Sequence, residues 1–212
     1  ALDADTLRHL DLLRDSGVCP AELEKYLEPL LESGILVRSR EEEDEHTRSC
    51  FEQISCGSGL AFEATILTTY ACNFGCVYCF EQGVREPLFM DRLTAEHTVR
   101  WLIDRSDEAG SPGIHLVYYG GEPLMHTDPI YTISPRIRQW AEHHGKTFGF
   151  SIITNGSLLT PALIDELRPL GLTSVRVTVD GDRELHDAQR PFADGRGSFD
   201  TVMNNIKAVI DR

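Results

Sequence analysis

The chain lacks long apolar stretches: runs such as Leu116 to Tyr119 and Ile35 to Val37 fall far short of the ~20 residues that cross a bilayer. A membrane-spanning helix is not expected. Ala1 to Asp15 also lacks the basic start and apolar centre of a secretory signal, so the sequence points to the cytoplasm. Positive charge is scarce too. Twenty Lys and Arg face 34 Asp and Glu, a formal net charge of -14 that repels phosphate backbones, so nucleic acid is not an expected partner. No internal repeat or low-complexity tract is present, which excludes a solenoid or a fibre. Finally, no second Cys-x-x-Cys and no His-x-x-x-His pair exists to complete a closed zinc site.

What is present is an ordinary globular composition, 212 residues that are 41% hydrophobic and 25% charged. That length suffices for one sizeable core plus a small appendage. The pattern changes near residue 60. Residues 1–60 hold 14 acids and 6 bases, the more acidic part of the chain. There Leu7, Leu10 and Leu13, then Leu23, Leu27, Leu30 and Leu31, recur at helical spacing. Pro20 suits a first helical position, and Gly34 stops the second helix before Ile35 to Val37, which reads as a short strand. The run Glu41 to Glu45 reads as a solvated acidic turn or linker. The first domain, 1–60, is thus a helix-turn-helix-strand unit.

From residue 61 to 212, β-rich runs alternate with amphipathic helical runs. Strands are predicted at Glu63 to Thr69, Gly113 to Tyr119, Phe148 to Ile153 and Ser174 to Val179. Helices begin near Thr94, Asp128, Pro161 and Phe199. Such alternation implies an α/β fold with parallel strands. Each strand is followed by polar or glycine-rich residues: Cys72 to Cys79, Gly120 to Glu122, Asn155-Gly156, and Asp180-Gly181. Ligands bind at the carboxyl ends of such strands, so the four loops should share one mouth.

Three of the six cysteines, Cys72, Cys76 and Cys79, crowd into the first of these loops. Cys19, Cys50 and Cys56 read as small buried apolar residues. Thiolates select zinc or iron-sulfur clusters, and an electron-transfer cluster of four irons ordinarily takes four cysteines. Three ligands on a cubane would leave one iron open to a small molecule.

The segment Cys72-Asn73-Phe74-Gly75-Cys76-Val77-Tyr78-Cys79, followed by Gly120-Gly121-Glu122-Pro123-Leu124, resembles the radical S-adenosylmethionine (radical SAM) superfamily. Thr154 to Leu159, Val179-Asp180-Gly181, Glu184 to Asp187, Arg190 and Gly197 to Asp200 resemble its peptide- and protein-modifying branch. That branch often carries a C-terminal SPASM domain and includes sulfatase maturases and maturases of ribosomally made peptides. The resemblance implies a (β/α) barrel, usually of about six units, of which four are legible here, so the core looks truncated. The first domain itself resembles a winged-helix unit, which in this branch either docks a precursor peptide or simply caps the barrel; its acidity counts against a DNA-binding role.

For single residues, the resemblance implies that Cys72, Cys76 and Cys79 each hold one iron of a 4Fe-4S cluster whose fourth iron chelates SAM. Tyr78 would lie against the adenine, and Gly120 and Gly121 would let the chain pass close to the methionine moiety. Glu122 would fix that turn or the SAM amine. Thr178 and Asp180 would end the fourth strand where the SAM carboxylate or ribose sits, Asn155 would end the third as a further cofactor-binding residue, and Arg190 is a candidate carboxylate partner. His186 is implied to position a loop, while Tyr118 and Tyr119 read as strand core. Expected partners are a precursor peptide or protein and a reductant such as flavodoxin or ferredoxin. The implied reaction passes one electron to the sulfonium of SAM, giving methionine and a 5′-deoxyadenosyl radical that takes a hydrogen atom from the substrate. A small-molecule substrate and a non-catalytic peptide-binding scaffold are the alternatives, and no catalytic base is legible.

Overall fold

Alternation along the strands determines how the sheet is covered. In the computed structural model, which describes residues 31, 37–55, 60–81 and 87–211, Leu116 and Tyr118 are fully buried. His115 and Val117 face the other way, where they join Glu63, Thr65, Ser151 and Arg176 in a polar cleft. One face of the sheet is therefore apolar and the other polar.

The chain divides into two units, Ala1–Gly57 and Ser58–Arg212. In the first, the two expected helices up to residue 30, Ile35, Leu36, Cys19 and Cys56 lie outside the described residues, while Leu31 is helical. The acidic run is not a linker: it opens helix α1 (Arg40–Ser55). The reason is local. Ser39 Oγ accepts from the Glu42 amide at 3.1 Å, while Glu42 Oε2 accepts from the Arg38 amide at 2.7 Å. This is a variant of the capping box, and Glu41 to Glu43 complement the positive end of the helix dipole. The run is exposed, as expected.

The second unit begins with β1 (Phe62–Thr69), α2 (Arg92–Glu108), β2 (Gly113–Gly120), α3 (Asp128–His143) and β3 (Thr147–Thr154). It continues with α4 (Pro161–Leu167), β4 (Leu172–Val177), α5 (Arg183–Gln189) and α6 (Phe199–Ile210). The four strands pair in parallel in the order β1-β2-β3-β4, the α/β arrangement read from the sequence. Helices start where capping chemistry allows: Asp91 accepts from the Thr94 amide at 2.7 Å, so α2 begins two residues earlier than predicted.

The apolar stripe Ile130, Ile133 and Ile137 of α3 meets Leu102 of α2, Leu167 of α4, and Ile114, Leu116, Phe150 and Ile152 of the strands. Each such side chain contributes roughly 1.5–3 kcal/mol by burial. The Tyr118 ring belongs to this core, and its hydroxyl is satisfied by Ser134 Oγ at 2.8 Å.

The predicted strand and helix boundaries shift by at most two residues, and two differences matter for the site. β4 starts and stops two residues early, because Gly171, at φ 112°, turns the chain so that Leu172 pairs with Phe150, and β3 ends at Thr154 opposite Val177. Thr178 and Val179 thus belong to the following loop. The segment read only as a loop around His186 contains α5, capped by Asp182 Oδ1, which accepts from the Leu185 amide at 3.0 Å.

Candidate functional site

Because the strands are parallel and aligned, their carboxyl ends open on one side, and one pocket forms there. Cys72, Cys76, Cys79, Tyr78, Gly120, Gly121, Asn155, Thr178 and Arg190 all line it. Glu122 and Asp180 do not line it, but each is bonded to a residue that does.

The cysteine loop is pinned from both sides. Gly75 donates its amide to the Pro191 carbonyl at 2.8 Å, Val77 to Gln189 at 3.0 Å, and Ala193 donates to Asn73 at 2.8 Å. Phe74, completely buried, packs edge-on against Phe192 with ring centroids 4.9 Å apart. The loop therefore rides on the chain that follows α5. Cys76 is buried, whereas Cys72 and Cys79 are half-buried.

Gly120 and Gly121 are needed for contacts inside the protein. A Cβ on Gly121 would stand 2.3 Å from the Ala71 carbonyl oxygen, and one on Gly120, at φ 138°, 2.3 Å from that of Thr69. Only bare backbone lets β2 and the cysteine loop come so close.

Of the two roles left open for Glu122, the geometry supplies the first. Its carboxylate is fully buried and accepts from Thr154 Oγ1 at 2.7 Å, from the Leu124 amide at 3.0 Å and from the Asn155 amide at 2.7 Å. Burial pushes its pKa up, against those three hydrogen bonds. Saturated in this way, Glu122 ties the β2 loop to the end of β3 and has no lining position in the pocket.

Asp180 Oδ2 accepts from the Tyr78 hydroxyl at 2.5 Å, and that hydroxyl accepts from Arg190 Nη1 at 2.6 Å. Burial opposes the charge of Arg190, but the Tyr78 bond and the neighbouring Cys76 and Asp180 outweigh it and raise its pKa. Its Nε is buried with no hydrogen-bond partner among the described residues.

His186 is fully buried and links three elements. Its Nδ1 accepts from the Asp180 amide at 3.2 Å. Ser198 Oγ gives its own proton to the Arg190 carbonyl at 2.6 Å, so His186 Nε2 carries the proton that joins Ser198 Oγ at 3.0 Å. The ring is neutral in this arrangement, and burial followed by the charge of Arg190 lowers its pKa. This is the loop-positioning role expected of it.

The sequence reading did not select Phe74, Phe80, Glu81, Ile153 or Thr154 for the pocket, and it assigned Tyr119 to the core. Strand alternation carried the signal for Tyr119: with Tyr118 inward, its neighbour faces outward.

A family model described as Radical SAM superfamily matches residues 66–212. The chain belongs to the Radical SAM superfamily. This superfamily uses a 4Fe-4S cluster and SAM. Among relatives, the chain is similar to the Fe-coproporphyrin III synthase of Methanosarcina barkeri, 33% identical over 65% of this chain and 31% of the relative. It is also similar to the serine-type anaerobic sulfatase-maturating enzyme of Klebsiella aerogenes, 29% identical over 64% of this chain and 33% of the relative. Among solved structures, native anSMEcpe with bound AdoMet and Cp18Cys peptide shares the fold, with a TM-score of 0.61 and 19% identity over 72% of this chain and 40% of that one. The chain thus spans about a third of the length of these two relatives.

The residues present fit the superfamily's cofactors. Among the described residues no three His, Cys, Asp or Glu side chains converge on a single-ion site. Cys72, Cys76 and Cys79 line one pocket, and thiolates are the ligands that iron-sulfur clusters take. The open Nε of Arg190 is a donor suited to a carboxylate. No helix among the described residues is long and apolar enough to cross a membrane.

Proposed function

We propose that this chain is the SAM-cleaving core of an enzyme that modifies a side chain of a peptide or protein. The observation that carries the reading is the pocket itself, where three cysteines, two obligatory glycines and a buried arginine with an open donor meet at the carboxyl ends of parallel strands. When bound, the cluster supplies one electron to the sulfonium of SAM, which yields methionine and a 5′-deoxyadenosyl radical able to take a hydrogen atom from a C–H bond.

The chain's own residues bind and orient. Cys72, Cys76 and Cys79 hold three irons as thiolates. Arg190 pairs with the SAM carboxylate while Tyr78, fixed by Arg190 and Asp180, offers its ring to the adenine. Gly120 and Gly121 leave the backbone open to the methionine moiety, and Asn155 and Thr178 line the wall. Glu122 and His186 keep these loops in place. Such a radical attacks nearly any C–H bond, so holding the target carbon close and excluding water is the protein's main contribution.

Peptide or protein substrates are favoured by the similarity to a sulfatase-maturating enzyme. A net charge of -14 disfavours RNA. The acidic first domain is proposed to dock a precursor peptide, and a flavodoxin or ferredoxin to deliver the electron, in the cytoplasm. A second reading, modification of a small molecule, is supported by the similarity to Fe-coproporphyrin III synthase. The two separate in one experiment. Cluster-loaded protein is incubated with SAM and reductant, plus either Ser- and Cys-containing sulfatase-type peptides or an iron porphyrin-type precursor of Fe-coproporphyrin III, each deuterated at the target carbon. Deuterium in 5′-deoxyadenosine from the peptides alone is the expected result; transfer from the porphyrin alone overturns the peptide reading.

A further inference from the structure

Beside Cys72, three polar side chains close a ring. Asn155 Nδ2 donates to Asn73 Oδ1 at 2.8 Å, Asn73 Nδ2 donates to Ser157 Oγ at 2.8 Å, and Ser157 Oγ donates to Asn155 Oδ1 at 2.7 Å. The Ser157 backbone amide also reaches Asn155 Oδ1, at 2.9 Å. A backbone amide only donates, so that atom is the carbonyl oxygen and the orientation of the Asn155 side chain is fixed by chemistry. Its NH₂ group faces the cysteine loop.

That NH₂ has two hydrogens. One serves Asn73; Cys72 Sγ lies 3.8 Å from the same nitrogen, within reach of a hydrogen bond to the larger sulfur atom. The Phe74 amide approaches the same sulfur at 3.4 Å. Both donors sit in dry surroundings, since Asn155 is 5% exposed and Phe74 not at all. Hydrogen bonds to cluster sulfurs are one of the protein's levers on reduction potential, because an N–H draws off part of the negative charge that reduction adds.

We propose that Asn155 is a positioning residue that raises the reduction potential of the cluster through its N–H to the sulfur of Cys72. This rests on the proposed function, since it takes Cys72 as an iron ligand. The role differs from a contact with SAM, which the sequence alone suggested for Asn155. The closed ring gives the N–H a fixed direction, and its backbone amide, bonded to Glu122 at 2.7 Å, holds the residue independently of the side chain.

The test uses the whole chain, reconstituted anaerobically with iron and sulfide, with iron content measured for every variant. An EPR-monitored redox titration without SAM then gives the midpoint potential. Asn155→Ala is expected to shift it to more negative values. Asn155→Asp is expected to shift it further, because the carboxylate still accepts from Ser157 but loses the N–H and adds charge. Iron-replete variants with the wild-type midpoint overturn the proposal. If neither assembles a cluster, Ser157→Ala decides: it keeps the amide but loosens the ring, so a smaller negative shift supports the role and an unchanged midpoint overturns it. Wild-type protein that takes up no cluster sinks both this inference and the proposed function, whereas wild-type SAM cleavage with unshifted variants sinks this inference alone.

Discussion

Arg190 Nη1 donates to the Tyr78 hydroxyl at 2.6 Å, joining two pocket residues 112 positions apart in sequence. Through this bond the cysteine loop and the chain after α5 hold each other, while Arg190 Nε keeps a donor in reserve. Arg190→Lys removes the fork and leaves a point charge. Loss of a charge-assisted hydrogen bond, worth roughly 1.5–3 kcal/mol, predicts SAM binding weaker by roughly 10- to 100-fold. Equilibrium dialysis against cluster-loaded protein checks this, and an unchanged dissociation constant would remove Arg190 from the SAM site.

Glu122→Gln is nearly isosteric yet places an NH₂ where the carboxylate accepts from Thr154, Leu124 and Asn155. At least one buried donor loses its partner. The expected cost is about 1–3 kcal/mol, read as a lower denaturation midpoint with reduced cluster uptake. Wild-type stability in this variant would show that the network is not needed.

His186 gives a pH signature. Burial and Arg190 hold its pKa below the usual 6.5, so the native ring is neutral. The stability it contributes is present above that value and is lost as the pH falls through the lowered native value, because the unfolded chain then binds a proton the native one resists. Urea midpoints at about pH 7.5 and about pH 5.5 should differ more for wild type than for His186→Gln, which cannot titrate. Equal differences would contradict the neutral, buried ring.

Gly121→Ala forces a Cβ to within 2.3 Å of one backbone carbonyl oxygen and 2.6 Å of another, both in the chain leading to Cys72. Backbone yields less readily than a side chain, so a destabilisation on the order of 1–3 kcal/mol is expected, with impaired iron uptake. Iron content and melting temperature, measured together, test it; a variant that matches wild type in both refutes the tight packing.

Legibility followed the range of the interactions. Strands and their loops were readable because alternation and glycine are local signals, and Cys72, Cys76 and Cys79 because one short loop carries the whole set. Helix α1 was misread since charge count outweighed the Ser39 to Glu42 cap, although that cap was itself in the sequence. The Asp182 cap of α5 was likewise available. By contrast, the saturation of Glu122 depends on Thr154 and Asn155, and the Arg190 to Tyr78 bond on a tertiary approach, so neither could be read from spacing.

The most direct test of the central claim is anaerobic SAM cleavage. The chain is reconstituted with iron and sulfide, reduced with dithionite and given SAM, and 5′-deoxyadenosine is quantified beside a Cys76→Ala control. Formation by the wild type that vanishes in the variant is the expected result. A cluster-loaded wild type that produces none, or a variant that produces as much, contradicts the assignment of this pocket as a radical SAM centre.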